Sequence, residues 1–359
     1  TKLSIVFVFL GIELGVFVVR LELSHGFLYD RFCFYDLRDF DEKIYLNFYS
    51  QPKNLPNTCL KENLINHEYP LSNFPITRYF HYEKRQNIFN LKPPGVPNWL
   101  LKFDWLVGWK HGWANSSHFP GSVFCRPDIL FNFEEFLRNN FETFERNSFL
   151  VIGGGDTLLS KQNKSTILSL KKYFKKIFYE AYDVDNRDVE IMPIGLQEFY
   201  LRGIEKLVYQ LSNLREKKKY LLMSAFGAFW PNLNNIIRDR MSAVEFSSKN
   251  SFVNLGPFER EKYFENLSTH KYMLCPLGNG AQSPKIIEAI LNCCIPIMTD
   301  NATSRSLKTK GFPILIVNEW FEITEKKLNE NYDQLENEII IFREKIKDLD
   351  KWWNFSFKE

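Results

Sequence analysis

The stretch "KYMLCPLGNGAQSPKIIEAILNCCIPIM", Lys271 to Met298, carries the pattern of a complete strand, loop, helix and strand. The apolar run through Leu274 reads as a buried strand and "GNGAQ" as a tight loop. Ser283 and Pro284 open a short helix, and "CIPIM" is a second buried strand. Two buried strands joined by a helix belong to a parallel sheet. One carboxylate, Glu288, stands inside the apolar helix "IIEAI", where packing alone does not call for it.

The helix start has a chemistry of its own. Ser283 suits the N-cap and Pro284 the first helical position, which leaves free N–H groups facing the loop. Such an end attracts anions, and Gly278 and Gly280, either side of Asn279, let backbone approach a phosphate. Lys285 adds a positive charge in the first turn. Glu288 and then Asn292 share its face. Two readings stay open here: a diphosphate at the helix mouth with its ribose on Glu288, or a solvated polar stripe on an otherwise buried helix.

The same alternation extends outward. Tyr220 to Ala225 is an expected strand, Gly227 a loop, and Asn232 to Met241 a helix carrying Arg238. "SFVNLG", a helix over Arg260 to Leu267, and "FPILIV" at Phe312 to Val317 follow. This spacing predicts a parallel sheet with helices on both faces. Thr324 to Trp353 reads as helical with Thr324 as N-cap. Upstream, "FLVIGGGDTLLS", Phe149 to Ser160, is a strand running into a glycine loop, with Asp156 as either a base at the loop mouth or a turn cap. A dinucleotide fingerprint would place glycine where Leu158 stands, which disfavours NAD or FAD. A basic amphipathic helix is expected over Ile167 to Ala181, a strand over Val189 to Met192 and a linking helix over Glu198 to Leu214. Four tryptophans and Asp104 fall between Trp99 and Arg126. They suit a sugar-binding surface or the core of a large domain, the core being the commoner fate of any single Trp.

At 359 residues, 45% hydrophobic and 25% charged, the chain has room for two domains. A formal charge of +3 is too mild for a nucleic-acid partner, and "KKK" at Lys217 to Lys219 reads as a solvated approach to a strand. Six cysteines show no zinc spacing, so no metal site is expected. A Cys33–Cys59 or Cys59–Cys125 bridge stays open. Leu3 to Val19 is almost long enough to span a membrane although Glu13 interrupts it, so residues 1–22 read as a possible anchor, with a first domain element or a cleaved signal as alternatives. Five Asn-x-Ser/Thr sites, at Asn115, Asn163, Asn266, Asn301 and Asn354, give weak support for a secretory lumen.

The stretch from Leu274 to Met298, with "GFPILIVNEWFEIT" after it, resembles the donor-binding half of exostosin-like glycosyltransferases. The matching residues are Pro276, Gly278, Asn279, Gly280, Glu288, Ala289, Cys294, Ile295, Pro296, Trp320 and Ile323. Weaker likeness reaches back to Phe149. Pro284 and Lys285 replace a His-Arg pair and Gln282 replaces a common Asp, so a point charge stands in for the fork of an arginine. The resemblance implies an α/β enzyme of the GT-B fold, two Rossmann-like domains facing across a cleft, that inverts the sugar it transfers. Residues 23–214 would bind a glycan or glycoprotein acceptor and 215–323 the nucleotide sugar, a UDP-sugar being the expected donor. Residues 324–359 would fold back as helices. Gly227, Arg238, Gly278, Asn279, Gly280, Ser283, Lys285 and Glu288 would hold the donor. Asp156 and Asp104, with Glu198 as a third, are the candidates for the base. Helix N–H groups with Lys285 and Arg238 would meet the diphosphate without a divalent ion. In a eukaryote this implies a type II Golgi or ER membrane protein with a lumenal catalytic domain, otherwise a cytoplasmic or membrane-associated one. A non-catalytic protein of the same shape and another sugar-nucleotide enzyme are the alternatives.

Overall fold

The computed structural model describes residues 4–9, 17–22, 76–78, 99–108, 119–143, 146–197, 201, 204–213, 218–226 and 234–357. The chain divides into two compact units, residues 1–66 and 67–359. In the first unit β1 (Ser4–Phe9) and β2 (Phe17–Glu22) pair antiparallel, with Ser4 opposite Glu22 and Phe9 opposite Phe17. Ser4–Phe9 and Phe17–Glu22 are thus extended, where an anchor over Leu3 to Val19 would be helical. Val, Ile and Phe dominate both segments, and these residues suit extended backbone better than helix. Among the described residues no helix is long and apolar enough to cross a membrane.

The second unit contains two five-stranded sheets, and every pairing within them is parallel. This is the α/β class with two parallel sheets that the alternation predicts. A two-stranded ribbon, β3 (Ile76–Arg78) beside β9 (Leu196–Gln197), accompanies them. The first sheet runs β4 (Trp105–Val107), β5 (Ser122–Cys125), β6 (Arg146–Ile152), β7 (Phe174–Tyr179) and β8 (Glu190–Ile191) in plain sequential order. Between its strands lie α1 (Leu130–Asn140) and α2 (Lys164–Leu170), and α3 (Glu205–Asn213) leads to the second lobe. The helix expected over Ile167 to Ala181 ends early, because Phe174 to Tyr179 is a strand. Phe174, Ile177 and Phe178 are buried there, and aromatic and β-branched residues overrule the lysines between them.

The second sheet has the order β11 (Val253–Leu255), β10 (Tyr220–Ser224), β12 (His270–Leu274), β13 (Ile295–Thr299), β14 (Leu315–Val317). Its helices are α4 (Asn234–Lys249), α5 (Arg260–Thr269), α6 (Lys285–Leu291) and α7 (Ala302–Thr309). Met273, Leu274, Ile295 and Ile297 are all fully buried, as strands covered on both faces must be. Lys218, from the "KKK" run, is not merely solvated. Its Nζ donates to the carbonyls of Leu267, Ser268 and Asn292 at 3.0, 2.9 and 2.7 Å, so it joins the ends of α5 and α6.

Thr324 caps α8 (Glu325–Ile346) by accepting the Lys327 N–H. The chain then turns into α9 (Leu349–Phe357), which packs back on the first lobe: Phe357 lies 5.3 Å from Phe149 and 5.1 Å from Phe178 between ring centroids, and Trp352 meets Trp99. Trp99 and Trp105 are core residues, 1% and 2% exposed. Trp109 and Trp113 lie outside the described residues. Cys125 is a buried free thiol, so the Cys59–Cys125 bridge is not formed. Two of the Asn-x-Ser/Thr asparagines act as helix caps, Asn163 for α2 and Asn301 for α7, and Asn266 is buried.

Candidate functional site

In the second sheet β10 lies between β11 and β12: the chain leaves it for β11 on one side and later crosses to β12 on the other. Where strand order reverses in this way, connections depart in opposite directions and leave a crevice outside the carboxyl ends. The loop Cys275–Ser283 leaves β12 at that point. Gly227, on the loop that leaves β10, lies outside the described residues.

The loop is built against itself and against α4. Ala281 N–H donates to Gly278 O at 3.0 Å and Gln282 N–H to Gly280 O at 2.8 Å, with Ala281 held at φ 66°. A β-carbon on Gly278 would collide with the Gln282 carbonyl, so this glycine is required by the loop's own close approach. Asn279 is half-buried at the tip of the turn. Just before it, α4 grips the backbone of Leu277 at both polar atoms. The N–H donates to Asp239 Oδ2 at 2.8 Å, and the carbonyl accepts from Arg240 Nε at 2.8 Å. Asp239 Oδ1 also accepts from Thr299 Oγ1 and Trp320 Nε1, each at 3.0 Å. Burial pushes the Asp239 carboxyl above its ordinary range while these hydrogen bonds oppose the rise. Arg238, the residue of "RDR" singled out from sequence, is exposed. The rotation of α4, which no local spacing reveals, aims its two neighbours at the loop instead.

Behind the loop stands α6, which is only seven residues long. Pro284 occupies its N-cap without a side-chain bond, and the Ser283 hydroxyl stands 3.4 Å from Lys285 N. A helix this short contributes little dipole, so local positive charge rests on Lys285. Its Nζ sits 4.2 Å from the centre of the Tyr263 ring, a cation–π distance. The Tyr263 hydroxyl donates to Glu288 Oε2 at 2.6 Å. Glu288 is 2% exposed and Asn292 4%, so this is no solvated stripe. Burial lowers the Lys285 pKa, with Glu288 opposing, and burial followed by the Glu288 charge raises that of Tyr263. Half-buried lysine and buried tyrosine and glutamate thus form one polar cluster next to Cys275. The sequence placed two of its members; Tyr263, on the preceding helix, carried no signal.

At the carboxyl edge of the first sheet, β6 runs into Gly153–Asp156. Gly154 N–H donates to Glu180 Oε2 at 2.6 Å, and Glu180 is 1% exposed. Asp156 is exposed on this loop, at the edge where a base would be useful. Asp104 is not. It precedes β4 at the opposite, amino edge, and its Oδ2 accepts from the N–H groups of Gly121 and Ser122 at 2.9 and 3.0 Å. Parallel strands share one direction, so a residue before the first strand cannot reach the edge where the glycine loops lie. Glu198 lies outside the described residues.

The lobes touch through polar contacts. Gln282, 4% exposed, donates from Nε2 to Glu180 O at 2.5 Å and Met192 O at 2.8 Å, and its Oε1 accepts from Ile194 N–H at 3.2 Å. From α7, Thr303 donates to Tyr182 O and Arg305 pairs with Asp185 at 2.7 Å. Lys310, just beyond, meets Glu190 at 3.2 Å. Sequence reading noted Gln282 only as a departure from a family pattern.

No protein-family model matches the chain, and no curated protein matches it in sequence. Solved structures share a distant likeness in shape. An α,α-trehalose 6-phosphate synthase from Burkholderia multivorans is 10% identical with a TM-score of 0.35, over 64% of this chain and 69% of its own. WaaG, a glycosyltransferase of lipopolysaccharide biosynthesis, is 12% identical with a TM-score of 0.30, over 72% and 79%. AviGT4, a glycosyltransferase of avilamycin A biosynthesis, is 11% identical with a TM-score of 0.28, over 66% and 85%. Likenesses this distant say nothing of substrate or reaction.

Proposed function

We propose that this chain is an exostosin-like glycosyltransferase of the GT-B type, which moves a sugar from a nucleotide donor to a glycan or glycoprotein hydroxyl with inversion. The observation that carries the reading is the "GNGAQ" loop at the carboxyl end of β12, where the strand order reverses, backed by half-buried Lys285 and buried Glu288. The diphosphate lies over Gly278 to Ser283, with its charge met by Lys285. Glu288 takes the ribose hydroxyls in exchange for the Tyr263 hydroxyl it holds here. Asp156 removes the acceptor proton as the leaving diphosphate gains charge. Because a fixed cation meets that charge, the reading requires no divalent ion, and chelation by EDTA leaves transfer intact.

A thermal-shift screen of nucleotide sugars tests the reading, since a ligand of the native state raises the melting temperature with log concentration. A UDP-sugar is expected to do so. Glu288→Gln should fold as wild type and bind that donor about 1.5–3 kcal/mol more weakly, the worth of a hydrogen bond to a charged group. No response to any nucleotide or nucleotide sugar would defeat the reading; equal affinity in wild type and variant would remove Glu288 from it. A second reading, a sugar- or nucleotide-binding protein without catalysis, is favoured by Pro284 and Lys285 standing where the exostosin-like pattern has a His-Arg pair. Donor binding with neither transfer nor hydrolysis would select it.

A further inference from the structure

The Gly153–Asp156 loop of the first lobe and the "GNGAQ" loop of the second are joined through Glu180 and Gln282. Glu180 follows β7 directly. Its N–H donates to Ile152 O, the last carbonyl of β6, at 2.9 Å, and its carboxylate accepts the Gly154 N–H at 2.6 Å. Side chain and backbone together therefore hold the start of the loop that carries Asp156. The same residue's carbonyl accepts from Gln282 Nε2, and Gln282 closes the "GNGAQ" loop. The amide orientation is unambiguous: two of its partners, the carbonyls of Glu180 and Met192, only accept, and the third, Ile194 N–H, only donates.

We infer that Glu180 and Gln282 are positioning residues that set the distance and angle between the base loop and the donor loop, an inference that rests on the glycosyltransferase reading above. Holding two lobes together needs only apolar contact. An amide buried to 4% exposure is costly unless every polar atom is paired, and here both N–H groups and the oxygen are. What such a network adds over a greasy contact is one orientation. Reacting groups displaced by about 1 Å lose roughly 100-fold in rate, so the effect of this link belongs in turnover rather than in donor affinity.

The test compares wild type with Gln282→Met, which keeps the volume but none of the hydrogen bonds, using UDP-sugar turnover, calorimetric donor Kd and hydrogen exchange. The expected result is a kcat lower by about 10- to 100-fold with donor Kd within about threefold, and faster exchange in residues 153–156 and 278–283 together. Unchanged kcat, a weakened Kd at unchanged kcat, or faster exchange in 278–283 alone would overturn it. If Gln282→Met does not fold, Glu180→Gln replaces it, since it keeps the carbonyl to Gln282 and weakens only the grip on Gly154. If wild type transfers no sugar, the glycosyltransferase reading fails separately; joint or separate exchange of the two loops then decides whether the link exists.

Discussion

The two sheets have the same number of parallel strands and differ in order. In the first, strands follow one another across the sheet, so right-handed crossovers put the connections on one face. The opposite face carries Phe149 and Phe178, against which no crossover helix among the described residues makes a ring contact. The last helix of the chain does so: Phe357 of α9 stacks on Phe149, and Trp353 meets Phe103 at 4.9 Å. In the second sheet the order reverses beside β10, which clothes both faces with the sheet's own helices and opens a crevice at the reversal. One lobe borrows its cover from the far end of the sequence; the other is self-sufficient and carries the better-formed candidate site.

The sharpest way to break this contrast is Phe357→Ala. Removing a buried aromatic of this kind costs about 3–5 kcal/mol. Urea denaturation should show that loss, and hydrogen exchange should show it in residues 149–152 and 174–179 of the first lobe. Loss of protection confined to 349–357 would mean that α9 is an appendage and not a cover. Next in size is Asp239→Asn in the second lobe. The amide cannot accept at both oxygen positions, so either Leu277 N–H loses its acceptor, or Thr299 Oγ1–H does while Trp320 Nε1–H keeps only the Asp239 carbonyl, at about 1–3 kcal/mol. The lost stability should appear as exchange in 275–283, with first-lobe protection unchanged; an equal rise in both lobes would contradict their separate construction.

The smallest effect is a pH dependence confined to the second lobe. His270 is fully buried, and its Nδ1 faces Asn266 O at 2.7 Å, so that nitrogen carries the proton and the Nε2 lone pair faces the Asn254 amide. Burial lowers its pKa below 6.5, the Asn266 carbonyl opposes the shift, and Lys218 adds to it. The unfolded chain then binds the extra proton more readily than the folded one. The stability from neutral His270 is complete above pH 6.5 and declines as the pH falls below it. A series of denaturation curves from pH 7.5 to 5 should fall on this limb in wild type and flatten in His270→Gln. A limb of equal depth in the variant would assign the acid sensitivity elsewhere.

Much of the second lobe was readable because its signals are local. Alternating apolar strands and helices, the turn glycines and the Thr324 cap each act within a few residues, so Tyr220 to Val317 resolves into a parallel α/β sheet from sequence alone. The first lobe was less legible where patterns compete. In "KKYFKKIFYEAY" lysine spacing suggests an amphipathic helix, yet burial of Phe174, Ile177 and Phe178 makes it a strand. Asp104 and Asp156 look alike as acids near glycines. Strand direction, a property of the whole sheet, puts them at opposite edges.

By itself the sequence determined the elements of the second lobe, the parallel class, and the placing of Lys285 and Glu288 one turn apart behind a glycine loop, since hydrogen-bond periodicity and side-chain spacing are set by neighbours in the chain. Tertiary structure decided what those groups face. It put Tyr263 between lysine and glutamate, turned Asp239 and Arg240 rather than Arg238 toward Leu277, and brought Gln282 to Glu180 and Met192 from the other lobe. Those contacts join residues tens of positions apart, and they follow from strand order and helix rotation, which only the packing of the complete core selects.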